Sequence, residues 1–148
     1  MAGRAPSGGG DPDRRRPRFL ILGAGMSGIL SAIKLKEAGL DDFAIYEKAD
    51  HLGGTWRENT YAGVGCDVPS PLYSYSFVAN RYGVDARIQY NKQVSLCAFE
   101  DGRWKIQMSD GSSDVGDVVI AATGVLHHPA YPDIAGLDSF QGQVFHSA

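Results

Sequence analysis

The residues with the clearest chemical signature form the stretch GAGMSG at positions 23–28, directly after the apolar run FLIL at positions 19–22. A short continuous apolar run is typical of a strand buried on both faces of a parallel sheet. In a strand, turn and helix of this type, Gly23 would make the tight turn, Gly25 would let a pyrophosphate approach the backbone and Gly28 would let helix and strand pack closely. The free N–H groups at the start of the helix would then bind phosphate. The stretch therefore predicts a dinucleotide site.

The residues that follow supply the other elements of such a site. Apolar residues at helical spacing come after the turn, and Gly39 is placed to end that helix. FAIYE at positions 43–47 predicts a second strand, and its terminal Glu47 lies 19 residues after Gly28, where a carboxylate binds ribose hydroxyls. Because a carboxylate repels a 2′-phosphate, Glu47 favours FAD or NAD over NADP.

An alternative interpretation of the same stretch is an export signal, because the run Arg14, Arg15, Arg16 stands before the apolar residues. A signal ends its apolar core at a small-residue cleavage site, whereas here charged residues follow in a helical pattern. This difference favours the nucleotide site. Since no other stretch is long and apolar enough to span a bilayer, we expect no membrane span and a cytoplasmic location.

Composition limits the domain count and the partners. The chain has 148 residues, of which 43% are hydrophobic, so a single core is expected. Residues 1–17, rich in Gly, Pro and Arg, are predicted to form a disordered tail. The tail is basic and the rest of the chain is acidic, with a net charge of −3 overall, which argues against nucleic acid as a partner. Cys66 and Cys97 form no disulfide framework, so a reducing compartment is expected.

Beyond Glu47, the sequence HLGGTWRENTYAGVGCDVPS at positions 51–70 resembles the class B flavin-dependent monooxygenases, and most closely the Baeyer–Villiger monooxygenases. The similarity extends through VVIAATGVLHHPAYPDIAGLDSFQGQVFHSA at positions 118–148, so it covers most of the chain after Arg18. It implies the FAD-binding portion of an enzyme that uses NADPH and O2 to oxygenate a small ketone or heteroatom compound. The implied fold is α/β: an incomplete Rossmann-like domain with a parallel sheet and a small antiparallel β-meander.

The resemblance also assigns site residues. Asp67, within CDVPS, matches an active-site aspartate beside the flavin ring that helps to orient a catalytic arginine, although alone it would be an ordinary turn residue. Asp67 is also an expected FAD contact, and Trp56 is either another or a loop anchor. The other expected FAD contacts come from the glycine turns at positions 23–28 and 53–54, the end of the second strand and the ATG motif at positions 122–124; they are Gly23, Ala24, Gly25, Met26, Ser27, Gly28, Glu47, Lys48, Gly53, Gly54, Thr55, Thr123 and Gly124.

The sequence departs from the family pattern in its domains. Residues 18–136 are expected to form the FAD-binding domain, shortened after Phe77, and residues 137–148 to begin a linker to an absent NADPH domain. No second GxGxxG follows Gly124, so no NADPH site is visible. Little of the segment after Lys48 has a helical pattern, which predicts a bare sheet face and association through exposed apolar surface.

The clustered aromatic residues, Cys97 and the paired histidines receive no catalytic or metal-binding role. Tyr73, Tyr75 and Phe77 alternate, which fits either core packing or a substrate cavity and not a catalytic role. Cys97 is interpreted as inert packing in the meander. His127 and His128 have no further ligand beside them, so no metal site is predicted.

Two functions follow from these observations. The first is the FAD-binding portion of a flavin-dependent monooxygenase that does not turn over alone; the alternative is a non-catalytic nucleotide-binding module or a non-functional remnant. The motif that begins at Phe140, Gly142 and His146 stops two residues short of the position that separates Baeyer–Villiger enzymes from N- and S-oxygenases.

Overall fold

The computed structural model describes residues 15–59, 74–124 and 130–144. Its strands and helices, in chain order, are β1 (Phe19–Leu22), α1 (Met26–Glu37), β2 (Phe43–Tyr46), α2 (Thr55–Glu58), α3 (Tyr75–Arg81), β3 (Ile88–Gln89), β4 (Val94–Glu100), β5 (Arg103–Met108), β6 (Ser113–Gly116) and β7 (Val118–Ala121). A four-stranded parallel sheet has the order β3-β2-β1-β7, and β4, β5 and β6 form an antiparallel sheet. The predicted α/β class, with a parallel sheet and a β-meander, is confirmed.

The parallel sheet is covered on both faces, which explains why β1 and β2 are apolar throughout. Ile21 and Ile45 pack with α1 and α3 on one face. Leu20 packs with Ile106 and Met108 of β5 on the other face. Helices therefore cover one side of the sheet and the meander covers the other, so the carboxyl ends of the parallel strands lie between two layers.

Helix α1 begins after the first glycine turn and ends where its sequence predicts. Gly39 has a φ of +73°, its N–H donates to Lys36 O at 3.0 Å, and the Leu40 N–H donates to Leu35 O at 2.9 Å. These two bonds are the Schellman arrangement, which favours glycine because of its left-handed backbone. These bonds therefore fix the C-terminal end of α1, which is the end remote from the first glycine turn.

Helix α3 corrects two expectations. The face of the sheet predicted to be bare is partly covered by this helix, whose Ala79 is completely buried in the core with α1. Tyr75 and Phe77 do not share a surface, because residues two apart diverge on a helix. Tyr75 is buried, whereas Phe77 is 65% exposed.

The two sheets are joined by a polar junction around Asp114. Arg18 Nη2 donates to Asp114 Oδ2 at 2.6 Å, and the Tyr46 hydroxyl donates to the same oxygen. Partial burial favours the neutral form of Asp114, but the hydrogen bonds from Arg18, Tyr46 and the Val115 N–H outweigh it and lower its pKa. Arg15, in the predicted tail, pairs with Asp117, whose carboxylate also accepts the Arg18 N–H at 2.7 Å.

The meander corrects a third expectation. Cys97 lies on β4 and is exposed, not packed, because β4 is an edge strand of the described meander. Leu96 and Phe99 on the same strand are 56% and 59% exposed. Association through exposed apolar surface stays a prediction. Across the described ranges, no helix combines the length and apolar character that crossing a membrane needs.

Candidate functional site

A cleft of about 920 Å³ opens where β1, β2 and β7 end. This edge of a parallel sheet is where open α/β folds bind ligands. Of the predicted contacts within the described residues, twelve line the cleft and two, Ala24 and Gly28, lie behind it; the twelve are Gly23, Gly25, Met26, Ser27, Glu47, Lys48, Gly53, Gly54, Thr55, Trp56, Thr123 and Gly124. The fold therefore brings together residues that are up to a hundred positions apart in the sequence.

The first and third glycines of the first turn are required by packing. A Cβ on Gly23 would lie 2.4 Å from Ala122 O, and Gly23 has a φ of +107°. A Cβ on Gly28 would lie 1.9 Å from Gly23 O. Both distances are far below van der Waals contact with backbone atoms that cannot move freely, so β1, the turn, α1 and the end of β7 meet without side chains between them.

Gly25 is different, because the protein leaves space beside it. Its φ of −80° is open to any residue, and a Cβ there would meet only Gly54 Cα, at 3.8 Å. Among the described residues, no side chain caps the α1 N-terminus that Gly25 begins. The positive end of the helix dipole and its free N–H groups thus face a glycine with an open approach, which is the arrangement that binds a pyrophosphate.

The second glycine turn packs against the first. Gly53 and Gly54 have φ values of +132° and +55°, which favour glycine. The Gly53 N–H donates to Ala24 O at 3.2 Å, and a Cβ on Gly54 would lie 3.3 Å from Gly25 Cα. Because the two turns touch through backbone atoms alone, Thr55 and Trp56 at the start of α2 are held at the mouth of the phosphate turn.

Glu47 stands between the two turns and is only 4% exposed. Its Oε2 accepts the Ala24 N–H at 2.8 Å, and its Oε1 accepts the Ala49 N–H at 3.0 Å. The carboxylate therefore holds the backbone of the first glycine turn as well as lining the cleft.

Arg57, which sequence reasoning missed, is the cation nearest to Glu47 in the described chain. Arg57 Nη1 lies 3.3 Å from Glu47 Oε1, and the same guanidinium donates to His51 O and to Glu58 Oε1, each at 2.6 Å. Lys48 Nζ lies 3.4 Å from Glu58 Oε1. Burial favours the neutral form of Glu58, but hydrogen bonds from Arg57 and Lys48 prevail and lower its pKa.

Comparison with known proteins agrees with this geometry. A family profile described as an NAD(P)-binding Rossmann-like domain matches residues 21–84. An uncharacterized monooxygenase of Mycobacterium tuberculosis is 48% identical over 90% of this chain, and a Baeyer–Villiger monooxygenase of Streptomyces coelicolor is 39% identical over 88%. The chain spans only 32% and 30% of these two relatives.

Solved structures give the same result. The chain superimposes on OTEMO in complex with FAD and NADP with a TM-score of 0.73 at 26% identity, covering 88% of this chain and 30% of that one. It superimposes on cyclohexanone monooxygenase from Rhodococcus sp. Phi1, bound to NADP+, with a TM-score of 0.71 at 25% identity and the same coverage. Over about 30% of their length, this chain is similar to monooxygenases of the Baeyer–Villiger type and shares their Rossmann-like fold.

One wall of the cleft comes from the meander, and sequence reasoning missed it. The connection into β4 and β4 itself contribute Lys92, Gln93, Val94, Ser95, Leu96 and Cys97. Although Cys97 is exposed, neighbouring atoms remove part of the water around its thiol and raise the pKa, so the thiol stays protonated near neutral pH. No local motif marks these residues, because only the packing of the meander against the parallel sheet brings them to the cleft.

Some predicted residues lie outside the part of the chain that the structure describes. They are Asp67, the assigned catalytic residue, together with Cys66, Tyr73, His127, His128 and His146. The roles assigned to them stay predictions.

Proposed function

We propose that this chain binds FAD and acts as the FAD-binding portion of a Baeyer–Villiger-type monooxygenase. The observation that carries the proposal is Gly25, a glycine that the protein's own packing does not require, at an uncapped helix N-terminus beside a cleft. A pyrophosphate needs this combination, because it approaches the backbone closely and takes hydrogen bonds from N–H groups.

The proposal gives each part of the cleft one role. The first glycine turn holds the pyrophosphate, Glu47 binds a ribose hydroxyl, and Thr55 and Trp56 at the second glycine turn contact the flavin side. Ser27, Lys48, Thr123 and Gly124 complete the walls. Asp67 keeps its proposed place beside the flavin. Bound FAD supplies the oxygen-activating chemistry, and the protein contributes orientation, charge and exclusion of water.

The reductant and the substrate belong to the same proposal. We assign NADPH as the reductant and a small ketone or heteroatom compound as the substrate of the complete enzyme. The relative from Streptomyces coelicolor is named a Baeyer–Villiger monooxygenase, and the structures of OTEMO and cyclohexanone monooxygenase contain NADP. This chain contains a single GxGxxG motif, which the proposed FAD site uses. Residues 18–136 are the proposed FAD-binding domain and residues 137–148 the proposed start of a linker.

Titration of the 148-residue chain with FAD, followed by flavin absorbance and fluorescence quenching, tests the proposal. We expect stoichiometric binding, which Gly25→Ala weakens by roughly 10- to 100-fold because the new methyl group occupies the pyrophosphate approach. Gly39→Ala is the matched control, since Gly39 ends α1 far from the cleft and has open space around it. A folded chain that leaves FAD fluorescence unchanged would refute the proposal.

Because the chain has a single dinucleotide motif, we also propose that it binds FAD but does not catalyse oxygenation by itself. Mixing the FAD-loaded chain with NADPH and following NADPH absorbance tests this proposal. We expect no sustained oxidation by the chain alone. Sustained NADPH oxidation with oxygenated product would show that this part is catalytically self-sufficient.

A further inference from the structure

Glu47 and Arg57 form an ion pair buried between the two glycine turns. Their side chains are 5% and 10% exposed. A buried carboxylate without a cation is strongly destabilising, so its cationic partner matters for the stability of the site and for the position of Glu47. None of the motifs in the sequence assigns a role to Arg57.

The guanidinium of Arg57 is fixed mainly by groups other than Glu47. Its two shortest hydrogen bonds, both 2.6 Å, go to His51 O and Glu58 Oε1, whereas its distance to Glu47 is 3.3 Å. Arg57 thus has a position set by the second glycine turn and α2, and the Glu47 carboxylate rests against it.

The hydrogen bonds to Glu47 leave one oxygen with spare acceptor capacity. A carboxylate oxygen can accept about two hydrogen bonds. Among the described residues, the recorded donors are the Ala49 N–H and Arg57 at Oε1 and the Ala24 N–H at Oε2. A hydroxyl that enters the cleft therefore finds room on Oε2, provided that the carboxylate keeps this orientation.

We propose that Arg57 is a positioning residue for ribose recognition: it holds Glu47 so that Oε2 accepts one ribose hydroxyl of an adenine nucleotide. This inference rests on the proposed function and extends it to a residue that acts through Glu47. It also gives the second glycine turn a task at the ribose end of the site, because the anchors of Arg57 flank that turn, His51 before it and Glu58 after it.

The test compares ADP with 2′-deoxy-ADP and 3′-deoxy-ADP, by calorimetric titration of the 148-residue chain. For the unaltered chain, we expect at least one deoxy analogue to bind roughly 10- to 100-fold more weakly than ADP, since a hydrogen bond to a charged group is lost. In Arg57→Gln this affinity ratio should fall towards one. A merely structural role would weaken ADP and the deoxy analogue equally and leave the ratio unchanged.

Two further variants complete the design. Glu58→Gln loosens one anchor of Arg57 at a partly exposed position, so it should lower the ratio partway even if Arg57→Gln fails to fold. Lys105→Gln, which breaks an exposed ion pair with Glu100 on the meander, is the matched control and should keep the ratio of the unaltered chain.

Each outcome has one meaning. An unchanged ratio in Arg57→Gln, or in Glu58→Gln when Arg57→Gln is unfolded, overturns the inference and leaves the proposed function standing. Tighter ADP binding by Arg57→Gln also overturns it, because Arg57 would then compete with the ribose. If the unaltered, folded chain binds FAD but shows no ADP binding, or no preference for ADP over either deoxy analogue, the inference fails and the proposed function stands. If it binds neither ADP nor FAD, both fail.

Discussion

The cleft and the meander turns both contain glycines, but the two groups need glycine for different physical reasons. At Gly23 and Gly28, an added Cβ would lie 2.4 and 1.9 Å from backbone oxygens. At Gly102 and Gly111, nothing lies within 4 Å, and only the positive φ values, +77° and +86°, favour glycine. The first turn thus needs glycine because space is lacking, and the hairpins need it because of backbone conformation.

Gly25 fits neither class. Its φ is −80°, and a Cβ added to it would have its nearest described neighbour, Gly54 Cα, at 3.8 Å, so neither space nor conformation requires glycine. On our proposal, Gly25 must be glycine because a bound ligand approaches its backbone, which distinguishes it from both other groups of glycines. The following predictions test that separation through the free energy of unfolding.

The largest effect is expected for Gly28→Ala. The new methyl group would overlap the Gly23 carbonyl, so α1 and β1 must separate, at a cost on the order of 4 kcal/mol. Chemical denaturation of the variant measures this loss. Gly39→Ala, at the other end of α1 with nothing within 4 Å, is the control and should lose far less. Equal losses in the two variants would contradict the packing argument.

The second-largest loss of unfolding free energy is expected at the polar junction between the two sheets. Asp114→Asn removes the charge that pairs with Arg18, and we expect a loss of about 2 kcal/mol in denaturant unfolding. Asp133→Asn, at an exposed position, serves as control. A loss no larger than that of the control would mean that the Asp114 charge does not help to hold the meander against the parallel sheet.

The same junction predicts an acid dependence. The pKa values of Asp114 and Asp117 are lower in the folded protein than their ordinary value of 3.8. Their contribution is therefore complete above that ordinary value and is lost as the pH falls through the folded pKa. The thermal midpoint should drop below about pH 4, and less steeply in Asp114→Asn. An identical slope in the variant would exclude Asp114 as a source.

Gly102→Ala should have a smaller effect. Asp101 and Gly102 both have positive φ, as a two-residue turn between β4 and β5 requires. Because alanine has free space there but an unfavourable backbone, we expect a loss of about 1 kcal/mol. Urea unfolding of Gly102→Ala and of Gly28→Ala gives two free-energy losses, one due to backbone conformation and the other due to lack of space. A loss as large as that of Gly28→Ala would break the comparison.

Gly25→Ala should have the smallest effect on stability. Its backbone conformation suits alanine, so the unfolding free energy should change by no more than about 0.5 kcal/mol while FAD binding weakens. Denaturation and FAD titration of one preparation give both values. Loss of stability and binding together would show that Gly25 belongs with Gly23 and Gly28.

Much of the parallel half was predictable because its rules are local. The apolar runs of β1 and β2, the glycine spacing and the Gly39 stop each lie within a few residues. The misses depend on distant contacts. The burial of Tyr75 and Ala79 needs α1 as a partner, the exposure of Cys97 depends on β4 being at an edge, and Arg57 is significant only because Glu47 is beside it.

The burial of β1 on both faces has a consequence for strand alignment. A strand with polar and apolar sides is kept in place by that alternation, because a slip of one residue would turn the wrong side inward. β1 lacks this safeguard, since both of its sides are apolar. Its position is set instead at its ends, where the Arg18 N–H donates to Asp117 and the Gly23 N–H donates to Tyr46 O at 2.8 Å. The glycine turn that faces the cleft is therefore also the stop that keeps the central strand from sliding.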